Sequence, residues 1–291
     1  RFLYEQTWKQ IENDYFFGTT GQTGIYEAQY PNYGVTWERA HKYNLGIEFS
    51  LWNGLLNGNI DLFHEKRNNI LTTYLTRPQW VGVNMAAGNL GETKNSGFEI
   101  ELKHNNRIND DWTYNVGFTF SHAKNEIVNM NEPTDKTDYR KREGHPIGQY
   151  YGLICDGFIT QADINGGKLP ASTFGNTQLG DLKYHDMNED GFIDERDETF
   201  IGYSDIPENT FALTLGTNYK GWGFNIMFQG VNNVSRYYDA EAMYAFVNGG
   251  KVKAHHLNRW TPTRSEAENL ANAKYPLLHY DSLAIITSVR T

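Results

Sequence analysis

From Tyr43 the chain alternates with a period of two. Leu45, Ile47, Phe49 and Leu51 point one way, and Asn44, Gly46, Glu48 and Ser50 the other, as a β-strand requires. Asn53-Gly54 follows, a hairpin signal because both residues tolerate positive φ. The return strand sets Leu56, Gly58, Ile60 and Leu62 against Asn57, Asn59 and Asp61. The pattern resumes at Phe98, Ile100 and Leu102, opposed by Glu99, Glu101 and Lys103. After a polar turn at 105–111 it is clearest in Trp112, Tyr114, Val116, Phe118 and Phe120. A last pair is Phe211, Leu213 and Leu215, a turn at Lys220-Gly221, then Trp222, Phe224, Ile226 and Phe228. A weak alternation of Phe2, Tyr4 and Trp8 adds the end of a further strand. Segments 12–35, 67–94, 124–209 and from 233 onward show little period and read as loops.

These strands have one face too polar for a sandwich core and one too apolar for a free surface. A lipid-facing outside around a wet inside satisfies both, so the fold class is all-β: part of a transmembrane antiparallel β-barrel with long extracellular loops. In such barrels short turns face the periplasm and long loops the outside. The strand ending near His122 then runs outward and the one starting near Thr210 runs inward. Segment 124–209 must begin and end outside, and Tyr150–Phe158, though it reads as extended, cannot add an odd crossing.

Composition changes this picture only at the margins. No stretch reaches the eighteen apolar residues of a membrane-spanning helix, which leaves barrels open. Aromatics make up 14%, with 19 Tyr and 7 Trp, more than a core needs and suited to interfacial girdles. A net charge of −9 argues against a nucleic-acid partner. Cys155 is the only cysteine, so no intrachain disulfide forms. No signal peptide opens the chain, which reads as processed or as an internal fragment.

The most specific text is Asp181–Asp197, whose last twelve residues match a calcium loop. Asp186, Asn188 and Asp190 supply oxygens at positions 1, 3 and 5, and Gly191 stands at the sharp turn. Phe192 offers its carbonyl, Asp194 a carboxylate directly or through water, and Asp197 closes at position 12. Ile193 is the apolar residue that pins the loop. Asp in place of Glu at position 12 shortens the closing arm, so the expected Ca²⁺ site is structural rather than sensing. Parity puts it outside the cell, where millimolar ion fills a weak site.

Several segments stand out together: Gly144-His145-Pro146-Ile147-Gly148-Gln149-Tyr150-Tyr151-Gly152, Gly180–Gly191 and Ile201-Gly202-Tyr203-Ser204. Thr36-Trp37-Glu38, Asn89-Leu90-Gly91 with Asn95-Ser96-Gly97-Phe98-Glu99, and Tyr219-Lys220-Gly221-Trp222 add to them. In order over about residues 25 to 265, they resemble the SusC/RagA-type TonB-dependent transporters of the Bacteroidetes outer membrane. The resemblance implies a 22-stranded barrel plugged by an N-terminal domain. It also implies import of oligomeric nutrients, usually glycans and sometimes peptides, under a SusD-like surface lipoprotein and with energy from TonB. The plug, the TonB-contacting segment and the family's last strands are missing from the pattern, and Ser282–Thr291 finds no place in it. An open edge is forbidden in lipid, so the chain reads as a fragment of a larger barrel.

No catalytic constellation competes. There is no Gly-x-Ser-x-Gly elbow, and Ser, His and Asp lack diagnostic spacing. Gly88-Asn89-Leu90-Gly91 lacks the Lys-Ser/Thr sequel of a phosphate loop. Glu99 and Glu101 share one strand face and read as lumen-lining carboxylates rather than a glycosidase pair, which flanks a cleft. Adjacent His255 and His256 are expected to point apart and to share no metal. Tyr150, Tyr151, Tyr237, Tyr238 and Trp260 suit sugar stacking, but packing is the better account of so abundant a residue type. Val252–Arg264 starts helically and receives no chemistry. The rival reading is a secreted all-β calcium-binding protein that binds or hydrolyses carbohydrate; it needs regular turn spacing, against the observed mix of short turns and very long loops.

Overall fold

The computed structural model describes residues 3–74, 82–167, 169–238, 243–246 and 250–278. Phe2 of the weak alternation, Arg77-Pro78 and Ser282–Thr291 lie outside the described residues. The chain divides into two compact units, Arg1–Ile147 with Pro207–Asn233, and Gly148–Ile206 with Val234–Thr291.

In chain order the first seven strands are β1 (Thr7–Phe17), β2 (Thr20–Tyr30), β3 (Arg39–Leu51), β4 (Leu56–Thr72), β5 (Asn84–Met85), β6 (Gly88–Arg107) and β7 (Trp112–Asn129). Then come β8 (Gln149–Gly152), β9 (Cys155–Phe158), α1 (Gln161–Gly166), β10 (Ala171–Ser172), β11 (Leu182–Tyr184), β12 (Phe192–Ile193) and β13 (Thr199–Ser204). The long pair β14 (Asn209–Tyr219) and β15 (Trp222–Asn232) and the helix α2 (Glu266–Asn272) follow.

The first unit is dominated by a six-stranded antiparallel sheet in the order β15-β14-β7-β6-β4-β3. Its register aligns the apolar positions in rows. Ile47 faces Ile60, which faces Ile100, then Phe120, then Phe211. The next row runs Leu102, Phe118, Leu213 and Phe228. Where a glycine interrupts a row, a ring covers it: a Cβ on Gly58 would lie 2.2 Å from Phe49 Cζ. The row at the short-turn end is aromatic, Trp112 facing Tyr219 facing Trp222.

This apolar face is open to its surroundings. Leu45 is 61% exposed and Trp222 84%, with Ile47, Leu62, Phe118, Phe211 and Phe224 also exposed. At ~200 Å² per fully exposed large side chain the face presents on the order of 1,000 Å², beyond the ~300–600 Å² of a typical soluble monomer's largest patch. Covering it with hydrocarbon is worth about 25 kcal/mol at ~25 cal/mol per Å². From Trp112 to Phe120 the strand rises about 27 Å at ~3.4 Å per residue, or about 21 Å along the normal at ~40° tilt, close to the ~25 Å band of outer-membrane barrels. Strands β7 and β14 are direct antiparallel neighbours, Asn209 facing His122, as an even number of intervening crossings demands.

Three loop expectations are corrected. Segment 12–35 is mostly a hairpin, β1 against β2, turning at Gly18 (φ +67°). A register shift between Ile11 and Tyr15 leaves extra residues on β1, which erases the period in sequence. Segment 67–94 is strand at both ends, since β4 reaches Thr72 and β6 starts at Gly88. There the outward side chains turn polar while the backbone ladder continues, so apolar alternation stops before the strand does. Segment 124–209 is likewise not a bare loop: β7 continues to Asn129, and six short strands and a helix follow.

The second unit has its own core of Leu153, Phe158, Leu182, Tyr184, Ile193 and Trp260. Trp260 is only 2% exposed, its ring 5.4 Å from that of Phe158. Backbone pairing binds the segments recognised in sequence. Gly152, Tyr151 and Tyr150 of β8 face Thr199, Phe200 and Ile201 of β13, and β11 pairs with β9 through Leu182 and Phe158. Gly180 lies directly under Trp260, where a Cβ would stand 2.3 Å from its Cδ1. Thr160 and Asp163 form a capping box on α1. The Lys183 ammonium, 2.6 Å away, and the Thr160 N–H hold the Asp163 carboxyl down at about 2.

Candidate functional site

The polar face of the six-stranded sheet collects the residues between the apolar rows. Glu48 faces Asn59, which faces Glu101, and Asp61 faces Glu99. Asn59 Nδ2 donates to Asp61 at 2.7 Å, Ser121 Oγ to Glu99 at 3.3 Å, and Lys103 pairs with Glu101 at 2.5 Å. Glu48, Ser50, Asn57, Asn59, Glu101 and Lys103 line an open hollow of about 430 Å³. Such a wall of carboxylates and amides offers many acceptors and few fixed charges of opposite sign, a surface for hydrogen-bonding hydroxyls and amides.

The acidic loop belongs to the second unit. Asp186 accepts from the N–H groups of Asp190 (3.3 Å) and Gly191 (2.8 Å), Asn188 Oδ1 from Asp190 (3.0 Å), and Asp190 from Phe192 (2.9 Å). Gly191 adopts φ +83° at the turn, and Ile193 is buried in the unit's core. Asp197, fully buried, accepts from the N–H of Met187 and of Asp194, both at 2.9 Å, and so ties the loop's two ends together. Asp194 accepts from the N–H of Arg196 at 2.7 Å. The Arg196 side chain was missed in sequence. Its guanidinium lies 2.7 Å from both Asp190 and Asp194, bringing positive charge to two of the predicted ligands. An arginine one place before the closing position was the available signal.

The donor types in the loop are those a hard cation takes, the carboxylates of Asp186, Asp190, Asp194 and Asp197, the Asn188 amide and the Phe192 carbonyl in sequence order. Its carboxylates are engaged with backbone N–H groups and Arg196. No three His, Cys, Asp or Glu side chains among the described residues are gathered as a metal-holding group.

The expectation that His255 and His256 point apart is corrected. A 3₁₀ turn at Ala254–Asn258 brings their rings together, centroids 4.0 Å apart and tilted by 48°, and both face the Met243 carbonyl. His256 Nδ1 accepts from the Lys253 N–H at 2.9 Å, so Nε2 carries the proton toward that carbonyl, 2.8 Å away. Among the aromatics, Trp260 is core, Tyr151 packs edge-on to Phe200, and Tyr237 donates its N–H to the Tyr150 hydroxyl. Tyr238 is exposed.

Asn89 does structural work that its motif alone does not reveal. Its Oδ1 accepts from the Thr36 N–H at 2.8 Å, and its Nδ2 donates to the carbonyls of Thr36 and Asn69. One amide thus stands in for a strand partner at the entry to β3.

An antiparallel sheet with short turns, an exposed apolar face and an exposed polar face defines a section of a membrane β-barrel. The family described as TonB dependent receptor-like, beta-barrel, matches residues 1–270, and the chain belongs to it. A TonB-dependent receptor of Formosa agariphila is 27% identical over 83% of this chain, and the TonB-dependent receptor SusC of Bacteroides thetaiotaomicron is 24% identical over 88%. The chain spans about a quarter of the length of these curated relatives, 25% and 26%. The RagAB peptide importer in its open-open state superposes with a TM-score of 0.65 at 19% identity, over 94% of this chain and 28% of that one, which shows a shared fold.

Proposed function

We propose that this chain is a barrel portion of an outer-membrane importer of oligomeric nutrients, glycans first, driven by TonB and working with a SusD-like surface lipoprotein. The carrying observation is the six-stranded sheet, whose apolar face suits lipid and whose polar face suits a lumen lined by Glu48, Asp61, Glu99 and Glu101. Family membership supports transport over enzymatic chemistry. The rival secreted protein would have to leave that apolar face in water. A peptide substrate is the second reading, favoured by the likeness to the RagAB peptide importer. Deleting the gene of the full-length protein should abolish growth on one class of oligosaccharide and spare growth on its monosaccharides. Loss of growth on peptides alone would select the second reading, and no loss on either would refute import.

We further propose that Asp186, Asn188, Asp190, Phe192, Asp194 and Asp197 hold a structural Ca²⁺ on the extracellular side. Arg196 must then release Asp190 and Asp194 as the ion enters. Chelation should speed proteolysis within 186–197 of the full-length protein, and Asp186→Ala should weaken Ca²⁺ affinity about tenfold or more while Arg196→Ala strengthens it. Digestion indifferent to chelator would sink the calcium reading.

A further inference from the structure

The apolar rows end toward the long loops in a band of different chemistry. Beyond Leu45, Leu62 and Phe98, the next row on the same face is Tyr43, His64, Ser96 and Lys124, and the one after is His41, Lys66, Lys94 and Glu126. Arg39 continues the same side of β3. Arg39, His41, His64, Lys66 and Lys124 are exposed and Lys94 is half-exposed. Two carboxylates answer them: Glu92 pairs with Lys66, and Glu126 with Lys94 at 2.8 Å. Both pairs are half-exposed surface pairs, of a kind worth about 1 kcal/mol or less, so that another anion can compete for the lysines. Arg39 and Lys124 still leave the belt positive, in a chain of net charge −9.

The opposite end of the same face differs. Its last two rows hold Trp112, Tyr219 and Trp222, then Asn106, Tyr114, Thr217 and Phe224, without lysine or arginine. Two and four residues past the apolar edge place the basic belt about 5–10 Å above the hydrocarbon, allowing for ~40° tilt, at headgroup depth. Basic side chains there recognise phosphate, as juxtamembrane lysines do.

Resting on the membrane reading above, we propose that this belt binds the phosphate groups of an anionic outer-leaflet glycolipid, with Lys66, Lys94 and Lys124 as its principal contacts. Charge complementarity and continuity with the lipid-facing rows select a lipid over a soluble partner. The test uses the full-length protein in detergent and native mass spectrometry, with diphosphoryl lipid A, its dephosphorylated form and inorganic phosphate as probes. Diphosphoryl lipid A should be retained over the dephosphorylated form. The triple variant Lys66→Gln, Lys94→Gln, Lys124→Gln should bind it about 100-fold more weakly, at roughly fivefold per lysine. The corresponding arginine variants should keep binding within about threefold. Lys42→Gln, on the opposite face and paired with Glu65 at 3.1 Å, should change nothing. Equal retention of the dephosphorylated lipid, equal loss on Lys42→Gln, or equal affinity for inorganic phosphate would each overturn the proposal. A protein monodisperse without detergent would sink the membrane reading itself, whereas detergent dependence with indifference to phosphate would sink the belt alone.

Discussion

Gly180→Ala tests whether the second unit is organised around Trp260. Gly180 sits at φ +88°, and an added Cβ would lie 2.3 Å from Cδ1, 2.5 Å from Cγ and 2.6 Å from Nε1 of that ring. The left-handed backbone alone costs an alanine about 1–2 kcal/mol. The ring is buried against Phe158, so it must move within a filled core, at about 1–3 kcal/mol more. The sum, about 2–5 kcal/mol, is to be read as local opening by hydrogen exchange on the full-length protein. Reporter amides are Ile159 N–H, bonded to the Asp181 carbonyl at 2.8 Å, and Leu277 N–H, bonded to the carbonyl of Gly180 itself at 3.0 Å. Their exchange should accelerate about 30-fold or more, since 1.4 kcal/mol is a factor of ten. Gly167→Ala is the control, with φ +61° and nothing within 4 Å of its Cβ, and should accelerate exchange near its own helix end by about five- to thirtyfold only. In a Trp260→Ala background the cost of Gly180→Ala should fall to its backbone part. If the glycine change matches the Gly167 control, or is unaltered by removing the ring, the packing argument is wrong.

Asn89→Ala removes both halves of the clamp on Thr36 and should cost about 1–2 kcal/mol, raising protease cleavage between Tyr30 and Arg39 roughly 5–30-fold. Asn89→Asp, which keeps the acceptor and loses the donor, should fall between the two. Burial lowers the His256 pKa below its ordinary 6.5, and the nearby cationic Lys253 and Arg259 and a protonated His255 act in the same direction. The unfolded segment therefore takes the proton first. Protection of the Arg259 amide, which bonds the His256 carbonyl, should be constant above pH 6.5 and fall as pH drops through that value toward the lower folded one. A pH-independent protection, or the same profile in His256→Phe, would refute it.

The sheet was legible in sequence wherever lipid and lumen impose opposite demands on alternate residues. Leu45 to Leu51, Trp112 to Phe120 and Phe211 to Phe228 carry that demand residue by residue, and the two-residue turn at Lys220-Gly221 is set by positive φ at both positions (+47° and +83°). Strand extent was not legible, because Lys66, Lys94 and Lys124 break the apolar alternation while their backbones stay hydrogen-bonded. Nor was the β1–β2 hairpin, whose bulge breaks the period that would announce it.

For the candidate loop, spacing located the sharp turn at Gly191, which adopts φ +83°, and the buried Ile193, because both are set by residues adjacent in the chain. It could not place Arg196 between Asp190 and Asp194, nor bury Asp197 as the bond between the loop's ends. Alternation by itself determined a membrane-facing antiparallel sheet, since solvent on each face selects residue type locally. Only the tertiary structure decided that the segments at 148–206 and 234–278 share a core, because Trp260 meets Gly180 and Phe158 across a separation no local pattern records.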